Sequence, residues 1–89
     1  MSPRVFKEGG LVFWFHSYDA QEENRASIHV GKGTQNDAGD PKIWLEPVIE
    51  LARAGRTLEQ KDLNHALRII KKNHQRLLEA WRAHKRKAT

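Results

Sequence analysis

The chain has 89 residues, no cysteine, three tryptophans and a formal net charge of +5. A chain of that length makes one domain that buries roughly 60–65% of its unfolded surface, and without cysteine it has neither a disulfide framework nor a thiolate metal centre. No apolar run reaches the ~18 residues of a membrane span, and Met1-Ser2-Pro3-Arg4 does not open a secretory leader, so the expectation is a soluble cytoplasmic protein with no membrane partner.

Charge is segregated along the chain. Residues 1–46 carry five Lys/Arg and seven Asp/Glu, and residues 47–89 carry eleven and four. A basic C-terminal half suits an acidic partner, either nucleic acid or a protein surface.

Residues 5–7 form a short first strand, closed by the turn signal Glu8-Gly9-Gly10, whose glycines accept positive φ. Residues 11–17 alternate Leu11, Phe13 and Phe15 with Val12, Trp14 and His16, the period of a strand that is apolar on both faces. Residues 18–24 read as an acidic loop, and residues 26–30 as the next strand. The segment 31–40, rich in Gly, Asn, Asp and Thr, reads as a long, mobile hairpin connection. Its Gly31-Lys32-Gly33-Thr34 is not a phosphate-binding loop, because the leading glycine that loop needs is Ile28 and no lysine separates Gly33 from Thr34.

Residues 42–46 form the last strand of the sequence reading, with Ile43 and Leu45 on one face and Lys42, Trp44 and Glu46 on the other. Pro47 ends it and suits the first turn of a helix over 47–54, with Gly55 beyond its C-terminus. Thr57-Leu58-Glu59-Gln60 has the form of a capping box for a helix over 57–87. The apolar stripe of that helix is Leu63, Leu67, Ile70, His74, Leu77 and Trp81, widened by Ala66 and Leu78. Such a helix is roughly 45 Å long, so its end must project or meet another chain. The fold class is α+β: an antiparallel sheet of three or four strands within residues 5–46, packed in two layers on a short and a long helix.

If Leu11, Phe13, Phe15, Ile28, Val30, Ile43 and Leu45 face the helices, alternation sends Val12, Trp14, His16, Ser27, His29, Lys42, Trp44 and Glu46 to an open opposite face. Three uses of that face compete. Trp14 and Trp44 with Lys42 suit base stacking of single-stranded nucleic acid. His29 and His16 with Glu46 suit metal-free acid–base cleavage of RNA. Exposed tryptophans equally mark a protein interface, with a partner chain or in a homodimer. Arg68, Lys71, Lys72 and Arg76 form a basic cluster at helical spacings, and Arg82, Lys85, Arg86 and Lys87 form a second. His74 reads as a satisfied core or interface residue, and His65 and His84 as solvent-facing. No metal or cofactor is expected.

Gly10-Leu11-Val12-Phe13-Trp14-Phe15-His16-Ser17, Ile28-His29-Val30, Ile43-Trp44-Leu45-Glu46-Pro47-Val48 and Leu77-Leu78-Glu79-Ala80-Trp81 together resemble a small bacterial family, the domain of unknown function number 4160. The family's Pro-Pro-His-x-His strand stands here as Arg25-Ala26-Ser27-Ile28-His29, with one histidine replaced by serine. The resemblance implies a small intracellular protein, bacterial or phage, of a toxin–antitoxin-like gene pair, with a protein partner encoded nearby. The expected function is therefore binding, by protein–protein contact with nucleic acid as a possible second partner. A small ribonuclease toxin is the alternative.

Overall fold

A computed structural model describes residues 4–16, 19 and 23–88. The sheet is an antiparallel meander of five strands in sequence order: β1 (Arg4–Glu8), β2 (Leu11–Trp14), β3 (Ser27–Lys32), β4 (Lys42–Trp44) and β5 (Glu50–Arg53). Two helices follow, α1 (Gln60–Lys72) and α2 (His74–Ala88). The class is α+β, with one strand more than expected.

The first hairpin is set by local chemistry. Glu8 pairs with Leu11, and Gly9 and Gly10 take φ of 59° and 78°. Two consecutive positive φ values match the right-handed twist of the flanking strands, which residues with side chains rarely tolerate. β2 is shorter than the expected strand, and Ser17 at the expected end lies outside the described residues, as do Tyr18, Ala20, Gln21 and Glu22 of the acidic loop.

The fifth strand stands where a short helix over 47–54 was expected. The chain turns at Glu46–Pro47, whose peptide is cis, and returns along β4 with Trp44 opposite Glu50 and Ile43 opposite Leu51. Pairing favours the strand, because β4 needs a partner for its outer N–H and C=O groups. Arg25 holds the turn in place, donating from Nε to the Glu46 carbonyl and from Nη2 to Glu50. Gly55 has φ 66°, but it closes no helix. It lies against the backbone of 39–41, where a Cβ would come within 2.3 Å of the Gly39 carbonyl oxygen.

Thr57 caps nothing. Its hydroxyl donates to Asp40 Oδ1 at 2.7 Å, and α1 starts three residues later with Glu59 as an N-cap that makes no side-chain capping bond. The expected rod over 57–87 is broken at Asn73. The Asn73 backbone N–H reaches the carbonyls of Ile69 and Ile70, and its side-chain amide takes the Ile69 carbonyl at 2.8 Å. An asparagine side chain competes with the helix ladder in this way. The break lets α2 fold back onto the core, so the molecule measures 35 × 24 × 20 Å and no helix projects by 45 Å.

The core is the one alternation indicates. Leu11, Phe13, Phe15, Ile28, Val30, Ile43 and Leu45 cluster with Leu63, Ala66, Ile70, Leu77 and Trp81 of the helices. Ile69, absent from the expected stripe, is buried as well, while Leu67 and Leu78 are half-buried. Phe15 meets Trp81 edge to face at 5.6 Å, and Phe6 stacks on Phe13 at 4.6 Å.

Candidate functional site

The face of the sheet away from the helices is not an open platform. Val12, Trp14, Ser27 and His29 on it are all 2% exposed or less. Asp40 explains much of this burial. It is itself fully buried and accepts from Trp14 Nε1, from the Asn36 backbone and from Thr57 Oγ1. The 31–40 connection, expected to be mobile, is tied down by those bonds and by Gly39, whose N–H donates to Asn36 Oδ1. Arg56 donates to the Gly39 carbonyl and brings the end of β5 onto the same segment.

His29 forms the centre of a second network. Its Nε2 lies 2.8 Å from Asp19 Oδ2, which assigns the ring proton to Nε2. Its Nδ1 is buried and has no hydrogen-bond partner. The ring stacks on Trp14 at 4.6 Å and lies 5.5 Å from the ring of His16. Lys42 bridges the carboxylates, 3.5 Å from Asp19 and 2.7 Å from Glu23. Burial pushes the Asp19 carboxyl up, but the hydrogen bond to His29 and the charge of Lys42 outweigh it and hold the group below its ordinary value.

The expected trio is therefore rearranged. His29 and His16 are neighbours, but Glu46 accepts from the Ala26 backbone N–H at 3.0 Å, and the carboxylate that meets His29 is Asp19. Asp19 came from a segment that reads only as an acidic loop, and Asp40 from one that reads only as a connection. Neither has a periodic signal to flag it. His16 is the accessible member of the set, with its side chain 28% exposed and Nε2 3.9 Å from Asp37. Among the described residues, no group of three or more His, Asp or Glu is placed to hold a metal ion.

Trp44 is half-buried, and two cations occupy its ring: Arg25 at 4.2 Å and Lys42 at 4.6 Å from the centroid. With Trp14 enclosed and Trp44 so engaged, the pair does not offer two open stacking surfaces.

The basic clusters lie on the outside. Arg68, Lys71, Lys72 and Arg76 are all exposed, as are Arg82, Arg86 and Lys87. Two of these cations also touch β1: Arg76 sits 5.1 Å over the Phe6 ring, and Lys72 is 3.9 Å from Glu8. Lys85 instead donates to the Glu23 carbonyl at 2.9 Å. From residue 68 to residue 87 there are eight Lys/Arg and one carboxylate, Glu79.

His74 is satisfied, its Nε2 bonded to the Leu45 carbonyl. His84 is half-buried. Its ring stacks on Phe15 at 5.4 Å and its Nε2 is buried without a partner. Burial, and then the charge of Lys87, hold its pKa below the ordinary value. The folded state therefore prefers the uncharged ring. Its contribution to stability is complete above the unfolded value of about 6.5 and is lost as pH falls through the lower folded value. His84→Gln should flatten the fall in denaturation midpoint as pH drops below about 6.5. A fall as steep as that of the parent chain would show that His84 carries none of it.

A five-stranded antiparallel meander, cored on one face by two C-terminal helices and closed on the other by buried carboxylates, defines a small α+β protein. Residues 10–82 match the family model described as Domain of unknown function (DUF4160), and the chain belongs to that family. No curated protein and no solved structure matches the chain. Among the described residues, no helix is long and apolar enough to cross a membrane.

Proposed function

We propose that this is a small non-enzymatic binding protein of a toxin–antitoxin-like or phage-related two-gene module, acting in the cytoplasm, and that the exposed basic face of α1 and α2 makes its contact. The observation that carries this reading is the charge segregation: eight cations against one carboxylate from residue 68 to residue 87, with Arg68, Lys71, Lys72, Arg76, Arg82 and Arg86 exposed. A ridge of one sign attracts an acidic protein surface, and nucleic acid as a second partner, and raises the association rate. The protein partner is one encoded nearby or a second copy of the chain.

A second reading is a metal-independent ribonuclease. It is favoured by His29, oriented by Asp19, beside the more accessible His16. One experiment separates the two: labelled RNA and DNA mixed with the protein and followed for binding and for cleavage. Binding without cleavage is expected. The logarithm of the affinity should fall linearly with the logarithm of salt concentration, and Lys72→Ala or Arg68→Ala should reduce that slope by about one while weakening all sequences alike. Cleavage abolished by His16→Ala would establish the ribonuclease instead. Absence of both would leave contact with a protein partner.

A further inference from the structure

A cleft of about 370 Å³ opens where the end of α2 meets the start of β1, lined by Arg4, Val5, Phe15, Ala80, Ala83, His84 and Lys87. We infer that this cleft binds a small amphipathic carboxylate, a monoanion carrying a medium-length apolar chain, by seating the chain on the floor and pairing the carboxylate with Arg4 and Lys87.

The lining has two chemical zones. Val5, Phe15, Ala80 and Ala83 supply an apolar floor, and the small alanines on α2 leave the space that larger side chains would fill. Arg4 and Lys87 are exposed cations at its rim, and no carboxylate is among the described lining residues. His84 adds the face of a ring, stacked on Phe15 at 5.4 Å. Its depressed pKa keeps that wall uncharged at neutral pH. The volume falls within the ~300–1,000 Å³ of small-molecule sites, towards the small end. The carbonyls at the C-terminal end of α2 oppose an anion, since a helix C-terminus carries partial negative charge. Lys85, Arg86 and Lys87 in the last turn outweigh that charge. A bare anion gains only screened pairing with two exposed cations, and a neutral chain gains only burial. The two zones together select a ligand that has both features.

Octanoate, acetate and 1-octanol, each titrated into the full chain and followed by calorimetry and backbone amide shifts, test this. Octanoate should bind saturably at one site, with shifts centred on Phe15 and residues 80–87. Acetate and octanol should each bind at least about tenfold more weakly. Ala83→Trp, which fills the floor, should abolish octanoate binding. Lys87→Glu changes an exposed residue in the last turn of α2, so it should lower the thermal midpoint by no more than about 8 °C and weaken octanoate about tenfold or more, leaving weak octanol binding unchanged. If octanol binds as well as octanoate, or if Lys87→Glu binds octanoate as the parent does, the inference is wrong.

Discussion

Trp14→Ala is expected to cost about 3–5 kcal/mol, as large-to-small changes of buried aromatic residues do. An 89-residue domain has a stability of only about 4–13 kcal/mol at ~0.05–0.15 kcal/mol per residue, so this variant should be partly unfolded at modest denaturant. The cause is specific. Trp14 is fully enclosed, stacks on His29 at 4.6 Å and donates from Nε1 to Asp40 at 2.9 Å. Removing the ring opens a cavity and takes one donor from a buried carboxylate. Trp14→Phe separates these effects, because it keeps most of the ring and loses the hydrogen bond, at about 1–3 kcal/mol. Trp44→Ala should cost clearly less, because that ring is only half-buried and its partners are cations with solvent access. Denaturant midpoints of the three variants give the comparison. Equal losses for Trp14→Ala and Trp44→Ala would mean that the Trp14 face is open to solvent.

His29→Ala is expected to cost about 3 kcal/mol or more, the scale of leaving a buried carboxylate short of its hydrogen-bond donor. His29 is 2% exposed, and Asp19, its partner at 2.8 Å, is 7% exposed. Without the imidazole the Asp19 carboxylate keeps, among the described residues, Lys42 at 3.5 Å and a long contact from Ser27 at 3.5 Å. Alternation alone places His29 on an open face, where its loss would leave folding nearly intact and impair only function. Burial reverses that expectation. The pH dependence carries the same signature. Asp19 is held below the ordinary carboxylate value, so its contribution is present above about pH 3.9 and is lost as pH falls through the lower folded value. His29→Ala should lose stability at neutral pH and show a shallower acid limb. The double variant Asp19→Ala/His29→Ala should lose less than the sum of the single changes, since the two groups are in contact. Additive losses, measured by urea titration, would show that the pair is not coupled.

How much of this was legible in the sequence depends on the range of each interaction. The face assignment of the strands was legible, because a period of two is a local property of an extended chain: all seven residues assigned to the core face lie in the core cluster. The first hairpin was legible because two adjacent glycines are the local solution to two positive φ values. The basic face of the C-terminal half was legible from charge and helical spacing. The segment 47–54 was not, since Pro47 followed by mixed residues suits a helix start as well as a strand, and only the unpaired edge of β4 and the reach of Arg25 decide.

The candidate site divides in the same way. His29, His16, Trp14, Trp44 and Lys42 were recognisable as one face, and the structure does put their rings and charges together. What that face is for changed with two carboxylates from irregular segments. Asp40 reaches Trp14 across 26 positions of sequence and Asp19 reaches His29 across 10, and no local pattern announces either pairing. By itself, the sequence determined the class, the core face of the strands and the charge of the helical half, all set by periodicity and composition. Tertiary structure alone decided that β5 is a strand and that the aromatic and histidine face is closed, because each depends on a hydrogen-bond partner distant in sequence or on packing against one.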